Sequence, residues 1–86
     1  MNKDVFHALA SPCRRKIIEL LRTGDLSAGE IQAHFEISQP SVSRHLAVLR
    51  FAGVVRARRN VTSIIYSLNR EVLMNAMKEL NKMCES

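Results

Sequence analysis

Apolar residues recur at helical spacing through most of the chain, and two start signals stand out between residues 27 and 52. Ser27 and Glu30 have the spacing of a capping box, which predicts the start of one helix. Ser38 and Pro40 predict the start of a second, because serine is a good N-cap and a helix tolerates proline in its first turn. The stretch 27–52 is therefore predicted to form two helices joined by a turn.

The turn and the second helix each have residues predicted to face inward, and the helix also has a predicted outward face. Residues 36–38 are too few for a loop, so we expect a tight turn with Ile37 directed inward. The buried stripe of the second helix is predicted to comprise Val42, Leu46 and Leu49. Its opposite face is predicted to carry small residues, hydroxyls and one arginine: Ser41, Ser43, Arg44, Ala47 and Val48. Such a narrow face without acids suits the major groove of DNA, which indicates a helix-turn-helix whose second helix reads bases.

The flanking segments complete a small domain that is mainly α-helical with one β-hairpin. One helix is predicted over 3–10, and Ser11-Pro12 starts another. After Gly53 the pattern changes to β-branched residues, which predicts a two-stranded hairpin over 54–68 with its tip near residues 59–61. A last helix is expected over 69–84. The expected fold is thus a single domain, residues 1–86, of about five helices plus a hairpin that serves as a wing.

Positive charge is concentrated in the helix-turn-helix and the hairpin. The chain has a net charge of +5, yet the segment Ser38–Arg70 contains six arginines and no acid, while the rest sums to −1. This segregation indicates a polyanionic partner. On the hairpin, Arg56 and Arg58 share a face, and Arg59 and Asn60 lie near the tip. The alternative is a solvated basic face that binds nothing.

Both terminal helices have an apolar stripe that the rest of so short a chain is not expected to cover fully. A homodimer formed by the two terminal helices would bury the stripes. The alternative is that the last helix packs back on its own domain. The residues predicted for the dimer interface are Val5, Phe6, Leu9, Val72, Leu73, Ala76, Met77, Leu80 and Met83.

Other classes of function find little support in the sequence. No catalytic set of nucleophile, base and acid is recognisable, so we expect no enzyme. There is neither a signal peptide nor a membrane-spanning run, and a cytoplasmic protein is expected. The residues His7, Cys13, His34 and Cys84 lack the spacing of metal ligands, so neither a metal nor a cofactor is predicted. Cys13, in the first turn of a helix beside two arginines, is either a redox-sensitive thiol or a small apolar residue.

Three segments together resemble one family of bacterial transcription factors. They are ALASPCRRKIIELL, SAGEIQAHFEISQPSVSRHLAVLRFAGVV and RARRNVTSIIYSL, and the run SQPSVSRHL is the most specific. The resemblance is to the arsenical-resistance repressor (ArsR/SmtB) type of winged helix, and within it to the short, metal-independent autorepressors of the SdpR type. It implies a dimeric DNA-binding repressor. Gln39, Ser41, Ser43, Arg44 and His45 match positions that face the major groove, and Arg58 and Arg59 match the wing.

The chain departs from the family pattern in three places. Val61 stands where the wing usually has glycine, and Thr62 replaces the basic residue after it. Phe51 replaces a charged residue near the end of the second helix and is expected to be exposed. Cys13 replaces a threonine. Contact between the wing tip and DNA is therefore expected to differ from that in the rest of the family.

The sequence favours a homodimeric repressor that binds an inverted-repeat operator, and the resemblance implies that it represses its own gene. The residues predicted to contact DNA are Ser38, Gln39, Ser41, Ser43, Arg44, His45, Arg56, Arg58, Arg59 and Asn60. One alternative is a repressor switched by the Cys13 thiol. Another is a winged-helix module that acts mainly through a protein partner, such as one that sequesters it at a membrane.

Overall fold

The computed structural model describes residues 3–85 and shows five helices and a three-stranded antiparallel sheet. The elements, in chain order, are α1 (Lys3–Leu9), α2 (Pro12–Leu21), β1 (Leu26–Ser27), α3 (Ala28–Gln32), α4 (Gln39–Phe51), β2 (Val55–Asn60), β3 (Ser63–Leu68) and α5 (Arg70–Glu85). The predicted helix-turn-helix corresponds to α3 and α4, and the predicted wing corresponds to β2 and β3.

Local capping explains where the helices begin. The Ser27 hydroxyl accepts a hydrogen bond from the Glu30 N–H at 3.1 Å, and the Glu30 carboxylate accepts one from the Ser27 N–H at 2.8 Å. This reciprocal pair is the predicted capping box of α3. At α4, the Ser38 hydroxyl accepts from the Ser41 N–H at 3.3 Å, and Pro40 lies in the first turn. Both predicted helix starts are confirmed.

The turn between α3 and α4 differs from the prediction. The chain leaves α3 through tight i to i−3 hydrogen bonds. The N–H groups of His34 and Phe35 each donate to the carbonyl three residues earlier, at a distance of 3.0 Å. Ile37 is 37% exposed, so the expectation that it is buried as an inward plug is wrong. The Gln32 side chain holds the turn instead, because its Nε2 donates to the Ile37 carbonyl at 3.0 Å. Phe35 is the apolar residue that packs against the core here.

The sheet has one strand more than the predicted two-stranded wing. Strand β1 pairs antiparallel with β3, so that Leu26 lies opposite Tyr66, and the strand order is β1-β3-β2. A strand is predicted from alternating apolar and polar residues, and two residues before a helix are too few to show that alternation. The added strand covers the edge of β3 that would otherwise offer unpaired backbone groups, and it ties the wing to the start of α3.

The end of α4 is fixed by a glycine. Gly53 has φ +81°, and its N–H donates to the Arg50 carbonyl at 3.0 Å. The Val54 N–H donates to the Leu49 carbonyl, also at 3.0 Å. These two bonds are those of a Schellman motif, in which a residue with positive φ ends a helix. Gly53 therefore turns the chain directly from α4 into the wing, as the sequence predicted.

The core lies between the helices and the inner face of the sheet. Its largest fully buried side chains come from three helices and the start of the wing: Ile17, Leu21, Ile31, Leu49, Val54 and Val55. The first helix, α1, packs against α2, α4 and α5. Because α4 is anchored through its buried stripe, its other face is held outward at a fixed angle to the wing.

Candidate nucleic-acid interface

Helix α4 presents one exposed polar face. Val42, Leu46 and Leu49 are at most 3% exposed, as the sequence predicted for the buried stripe. The exposed residues of this helix, as the structure describes it, are Gln39, Pro40, Ser43, Arg44, Ala47, Arg50 and Phe51. No carboxylate lies on the helix, so the face combines hydroxyl, amide and guanidinium donors with positive charge. Such a set matches base edges and phosphates.

Ser41 and Val48, two predicted members of the outer face, lie at its border instead, beside His45. Ser41, His45 and Val48 are half-buried on the side of α4 that faces α2. The Ser41 hydroxyl lies 3.0 Å from the Ser38 hydroxyl, which links the two predicted serines at the start of α4. Val48 packs against the core, so it is not the open surface residue that its helical position suggested.

His45 is held by an arginine that the sequence did not single out for this region. Arg14 of α2 lies 3.2 Å from His45, measured from Nη1 to Nδ1. Arginine has no acceptor, so Nη1 donates and Nδ1 accepts. Nδ1 is therefore unprotonated, and in the neutral ring the hydrogen is on Nε2. Desolvation by burial, with smaller contributions from the charges of Arg14 and Arg44, lowers the pKa of His45 below its ordinary value of 6.5.

The basic residues at the start of α2 serve the ends of other helices. Arg14 donates from Nε to the Ala8 carbonyl at 2.8 Å, and Arg15 donates from Nη1 to the Leu9 carbonyl at 2.7 Å. Lys16 donates to the carbonyl of His34, just after α3, at 2.8 Å. Cations near helix C-termini are favourable because the last carbonyls lack partners. These side chains position α1 and α3 relative to α2.

The wing places the four predicted basic and polar residues at the surface. Arg56, Arg58, Arg59 and Asn60 are all exposed. Arg58 donates from Nη1 to Oδ2 of Asp25 at 3.1 Å, and both side chains remain about half open to solvent, at 60% and 46%. An ion pair this exposed contributes little stability and exchanges readily for another anion. Arg58 thus remains a possible phosphate ligand.

A small cleft joins the wing to the end of α4. It has a volume of about 180 Å³ and is lined by Arg50, Ala57, Arg58, Arg59 and Ile64. Arg50 was not among the predicted site residues, although the sequence placed it in the basic run. Three guanidinium groups around one cleft make this junction strongly positive. The backbone between the grooves would pass such a junction if α4 and the wing occupied neighbouring grooves.

The basic run does not form one continuous surface. Arg70 donates from Nη2 to the Arg22 carbonyl at 2.7 Å, so it contacts the end of α2. In the sequence, Arg70 belongs to the same acid-free segment as the wing arginines. In the structure Arg70 is separated from the wing arginines, because it is the first residue of α5.

The wing tip is a two-residue turn that the sequence did not specify. Asn60 pairs with Ser63, which leaves Val61 and Thr62 between the strands. Val61 has φ 59° and is 87% exposed. Positive φ is uncommon for a β-branched side chain, and Gly or Asn usually occupies such positions. The departure from glycine at Val61 therefore has a backbone cost, and it presents an apolar side chain at the tip.

The predicted dimer residues divide into three groups by exposure. Val5 and Ala76 are 4% and 2% exposed within the single chain, so their side chains belong to its core and leave little surface for a partner. Phe6, Leu9, Val72 and Leu73 are half-buried at the edge of that core. Met77, Leu80 and Met83 are exposed, by 65%, 46% and 69%. Met74, which was not predicted, is also 59% exposed on α5.

The two cysteines lie on α2 and α5. Cys13 is half-buried and Cys84 is exposed, and both are free thiols. Within residues 3–85, no three histidine, cysteine or acidic side chains gather into a group that could hold a metal ion. None of the helices described is both long enough and apolar enough to span a membrane. Phe51 is 82% exposed, which confirms the sequence prediction.

Comparisons with known proteins agree with this geometry. Residues 11–57 match the family described as "Bacterial regulatory protein, arsR family". The chain is 47% identical to the transcriptional repressor SdpR of Bacillus subtilis (strain 168) over 74 residues, which span 86% of this chain and 82% of that protein. It is 37% identical over 65 residues to a biofilm growth-associated repressor of Xylella fastidiosa (strain Temecula1 / ATCC 700964), covering 76% of this chain and 57% of that protein.

A solved structure shows the same fold. A crystal structure of an ArsR family transcriptional regulator superimposes with a TM-score of 0.88, covering 95% of this chain and 84% of that chain at 24% identity. At that identity the likeness concerns the winged-helix fold alone. The family match and the 47% identity to a transcriptional repressor identify the family in addition to the fold. The chain belongs to the ArsR family of bacterial regulatory proteins, and it is a winged-helix transcription regulator and not an enzyme.

Proposed function

We propose that this protein is a sequence-specific repressor that binds an inverted-repeat operator as a homodimer and controls its own gene. The observation that carries the proposal is the exposed, acid-free face of α4, held outward beside an arginine-rich wing. A major groove admits one α-helix, and bidentate arginine and glutamine contacts distinguish base pairs there. The site of action would be the cytoplasm, where bacterial DNA lies.

The face of α4 supplies the base contacts in this proposal. Gln39, Ser43 and Arg44 are exposed along the N-terminal half of the helix, which is the half that contacts base edges in helix-turn-helix proteins. Ser38, Ser41 and His45 lie beside them and are assigned to the phosphate backbone. The wing adds Arg56, Arg58, Arg59 and Asn60 along the neighbouring backbone or minor groove.

A second copy of the chain is the proposed occupant of the apolar surface on α5. Met74, Met77 and Leu80 are 59%, 65% and 46% exposed, and the half-buried Phe6 belongs to α1, which packs against this helix. Two-fold pairing through α1 and α5 would cover this surface and repeat α4 on the other protomer. It would also give an inverted repeat, because a symmetric dimer matches a symmetric site.

A footprint of the DNA upstream of the protein's own gene tests this proposal. We expect two protected half-sites, related by inversion and about one helical turn apart, or a multiple of it. One protected block without internal symmetry would contradict the dimer. Absence of any protected site at protein concentrations that coat random DNA would contradict sequence-specific control of that gene.

The two alternatives from the sequence remain predictions. A thiol switch requires that mild oxidation change the affinity for DNA and that Cys13→Ser abolish the response. A module acting through a protein partner requires DNA binding that is weak and equal for every duplex. Neither has a supporting contact among residues 3–85 comparable to the exposed face of α4.

A further inference from the structure

A second cleft lies on the opposite side of α4 from the wing. It has a volume of about 290 Å³ and lies between α2 and α4. Its lining comprises Arg14, Ser41, Arg44, His45 and Val48. Four of these five side chains offer hydrogen-bond donors, and none is acidic. The cleft therefore suits an anion, because no negative charge in its lining opposes binding.

Arg14 is fixed in this cleft before any ligand arrives. Its Nε donates to the Ala8 carbonyl at 2.8 Å, Nη2 to the His7 carbonyl at 3.0 Å, and Nη1 to Nδ1 of His45 at 3.2 Å. A guanidinium has five N–H donors, so two remain for a ligand, one on each terminal nitrogen. Because the long side chain is already ordered, a ligand would bind without the usual loss of side-chain entropy.

His45 becomes a donor toward a ligand through the same contact. Its Nδ1 accepts from Arg14, so the neutral ring carries its hydrogen on Nε2. Ser41 adds a hydroxyl from the first turn of α4, which is near the positive end of the helix dipole. A guanidinium, an imidazole N–H and a hydroxyl beside one another are donors typical of phosphate contacts in DNA complexes.

We propose that Arg14 of α2 joins Ser41 and His45 of α4 to form a binding site for one backbone phosphate of the operator. The inference rests on the proposed function, since it places α4 in the major groove. The backbone strands run along both edges of that groove, so the flank of α4 that faces α2 meets one strand while the wing meets the other. Arg44, at the same cleft, remains assigned to bases and adds positive potential.

The main test compares Arg14→Gln with Arg15→Gln. Both changes remove one charge and one or more bonds to the end of α1, but only Arg14 contacts α4. The logarithm of operator affinity is measured against the logarithm of salt concentration. We expect Arg14→Gln to make the slope shallower by about 0.9, the value for one phosphate contact, with the preference for operator over random duplex unchanged. Equal slopes for wild type and Arg14→Gln, both folded by circular dichroism, would overturn the proposal.

A second measurement protects the test if Arg14→Gln does not fold. Arg14→Lys keeps the charge but loses the planar fork. Operators with a single neutral methylphosphonate at successive positions are titrated with wild type and with this variant. At one position per half-site, the methylphosphonate is expected to weaken the binding of wild type more than the binding of Arg14→Lys. Identical penalties at every position would overturn the proposal.

The outcomes separate this site from the proposed function. Specific operator binding with no Arg14 effect would remove the phosphate site and leave the repressor. A shallower slope for Arg14→Gln on every duplex, without operator preference in wild type, would support the site and remove the repressor. A further measurement compares the thermal midpoint of the DNA-free protein in inorganic phosphate with that in chloride, at equal ionic strength. An Arg14-dependent rise in thermal midpoint, together with an unchanged salt slope, would assign the site to free phosphate and overturn its assignment to DNA.

Discussion

Arg14 and His45 are 31 positions apart in the chain, and a hydrogen bond of 3.2 Å joins them between α2 and α4. Because Arg14 also donates to the His7 and Ala8 carbonyls at the end of α1, this one side chain connects three helices. The bond requires an unprotonated Nδ1 on His45. Stability and the position of α4 are therefore linked to the protonation state of that ring.

The first prediction concerns the effect of pH on folding. The pKa of His45 in the folded protein lies below its ordinary value of 6.5, chiefly through desolvation. As the pH falls below about 6.5, the unfolded chain takes up a proton that the folded chain does not, so the free energy of unfolding decreases. The decrease ends once the pH is below the folded pKa. Urea titrations at several pH values measure it.

Two glutamine variants provide the control for this pH effect. His45→Gln keeps an amide oxygen that can accept from Arg14 but does not titrate, so its stability should depend less on pH than that of wild type. His34→Gln removes an exposed histidine after α3 and leaves His45 in place. Its stability should therefore keep the part of the pH dependence that comes from His45. If His45→Gln and wild type lose stability equally below pH 6.5, the link through His45 is wrong.

The second prediction concerns the tip of the wing. Val61 has φ 59°, and its side chain is 87% exposed, so glycine there would relieve backbone strain and lose little burial. Relief of about 1–2 kcal/mol is partly offset by the greater freedom of glycine in the unfolded chain, about 0.5–1 kcal/mol. Val61→Gly should therefore raise the free energy of unfolding by about 0.5–1 kcal/mol. Chemical denaturation measures this change.

Val61→Ala separates backbone strain from the exposed apolar side chain. Alanine shortens the side chain but keeps the cost of positive φ, so it should gain much less than glycine. Equal stabilisation by both substitutions would show that side-chain exposure, and not φ, accounts for the cost at Val61.

The third prediction concerns the apolar surface of α5. Met77 is 65% exposed in the single chain, and a charge at this position would be buried in the proposed dimer. Met77→Glu should weaken self-association at least about tenfold, which corresponds to about 1.4 kcal/mol. Sedimentation equilibrium measures it. Asn75→Glu adds the same charge on the other side of the helix and should leave the dimer intact. A monomeric wild type would contradict the proposed pairing.

The fourth prediction concerns Arg44 on the exposed face of α4. If its guanidinium grips a base, Arg44→Ala should weaken operator binding by about 1–3 kcal/mol and relax the preference at one position of each half-site. Lys78→Ala on α5 removes the same charge from an exposed position away from α4. A loss that is equal for operator and random duplex would place Arg44 on the phosphate backbone instead.

Local signals made much of the fold predictable. The caps at Ser27 and Ser38 and the stop at Gly53 act within a few residues, so they are legible in the sequence and fix α3, α4 and the start of the wing. The buried stripe of α4 was predictable because its period is helical. These features identified the buried stripe of α4, although Ser41 and Val48 proved to be half-buried at the border of the exposed face.

Features that depend on distant residues were not predictable. The bond between Arg14 and His45 joins two helices whose separation in space no local pattern reports. The pairing of Leu26 and Ser27 with β3 depends on where the wing folds back. The same holds for Val5 and Ala76, whose stripe positions suggested a free surface but whose small side chains fit the monomer core.

The most direct test of sequence-specific repression is a fluorescence-anisotropy titration of DNA from upstream of the protein's own gene. It is performed at two salt concentrations with random duplex as competitor. We predict tight binding that the competitor displaces poorly and that weakens as salt increases, because arginines replace counterions on the phosphates. Equal and weak binding to every duplex would contradict the account, since the exposed face of α4 would then read no sequence.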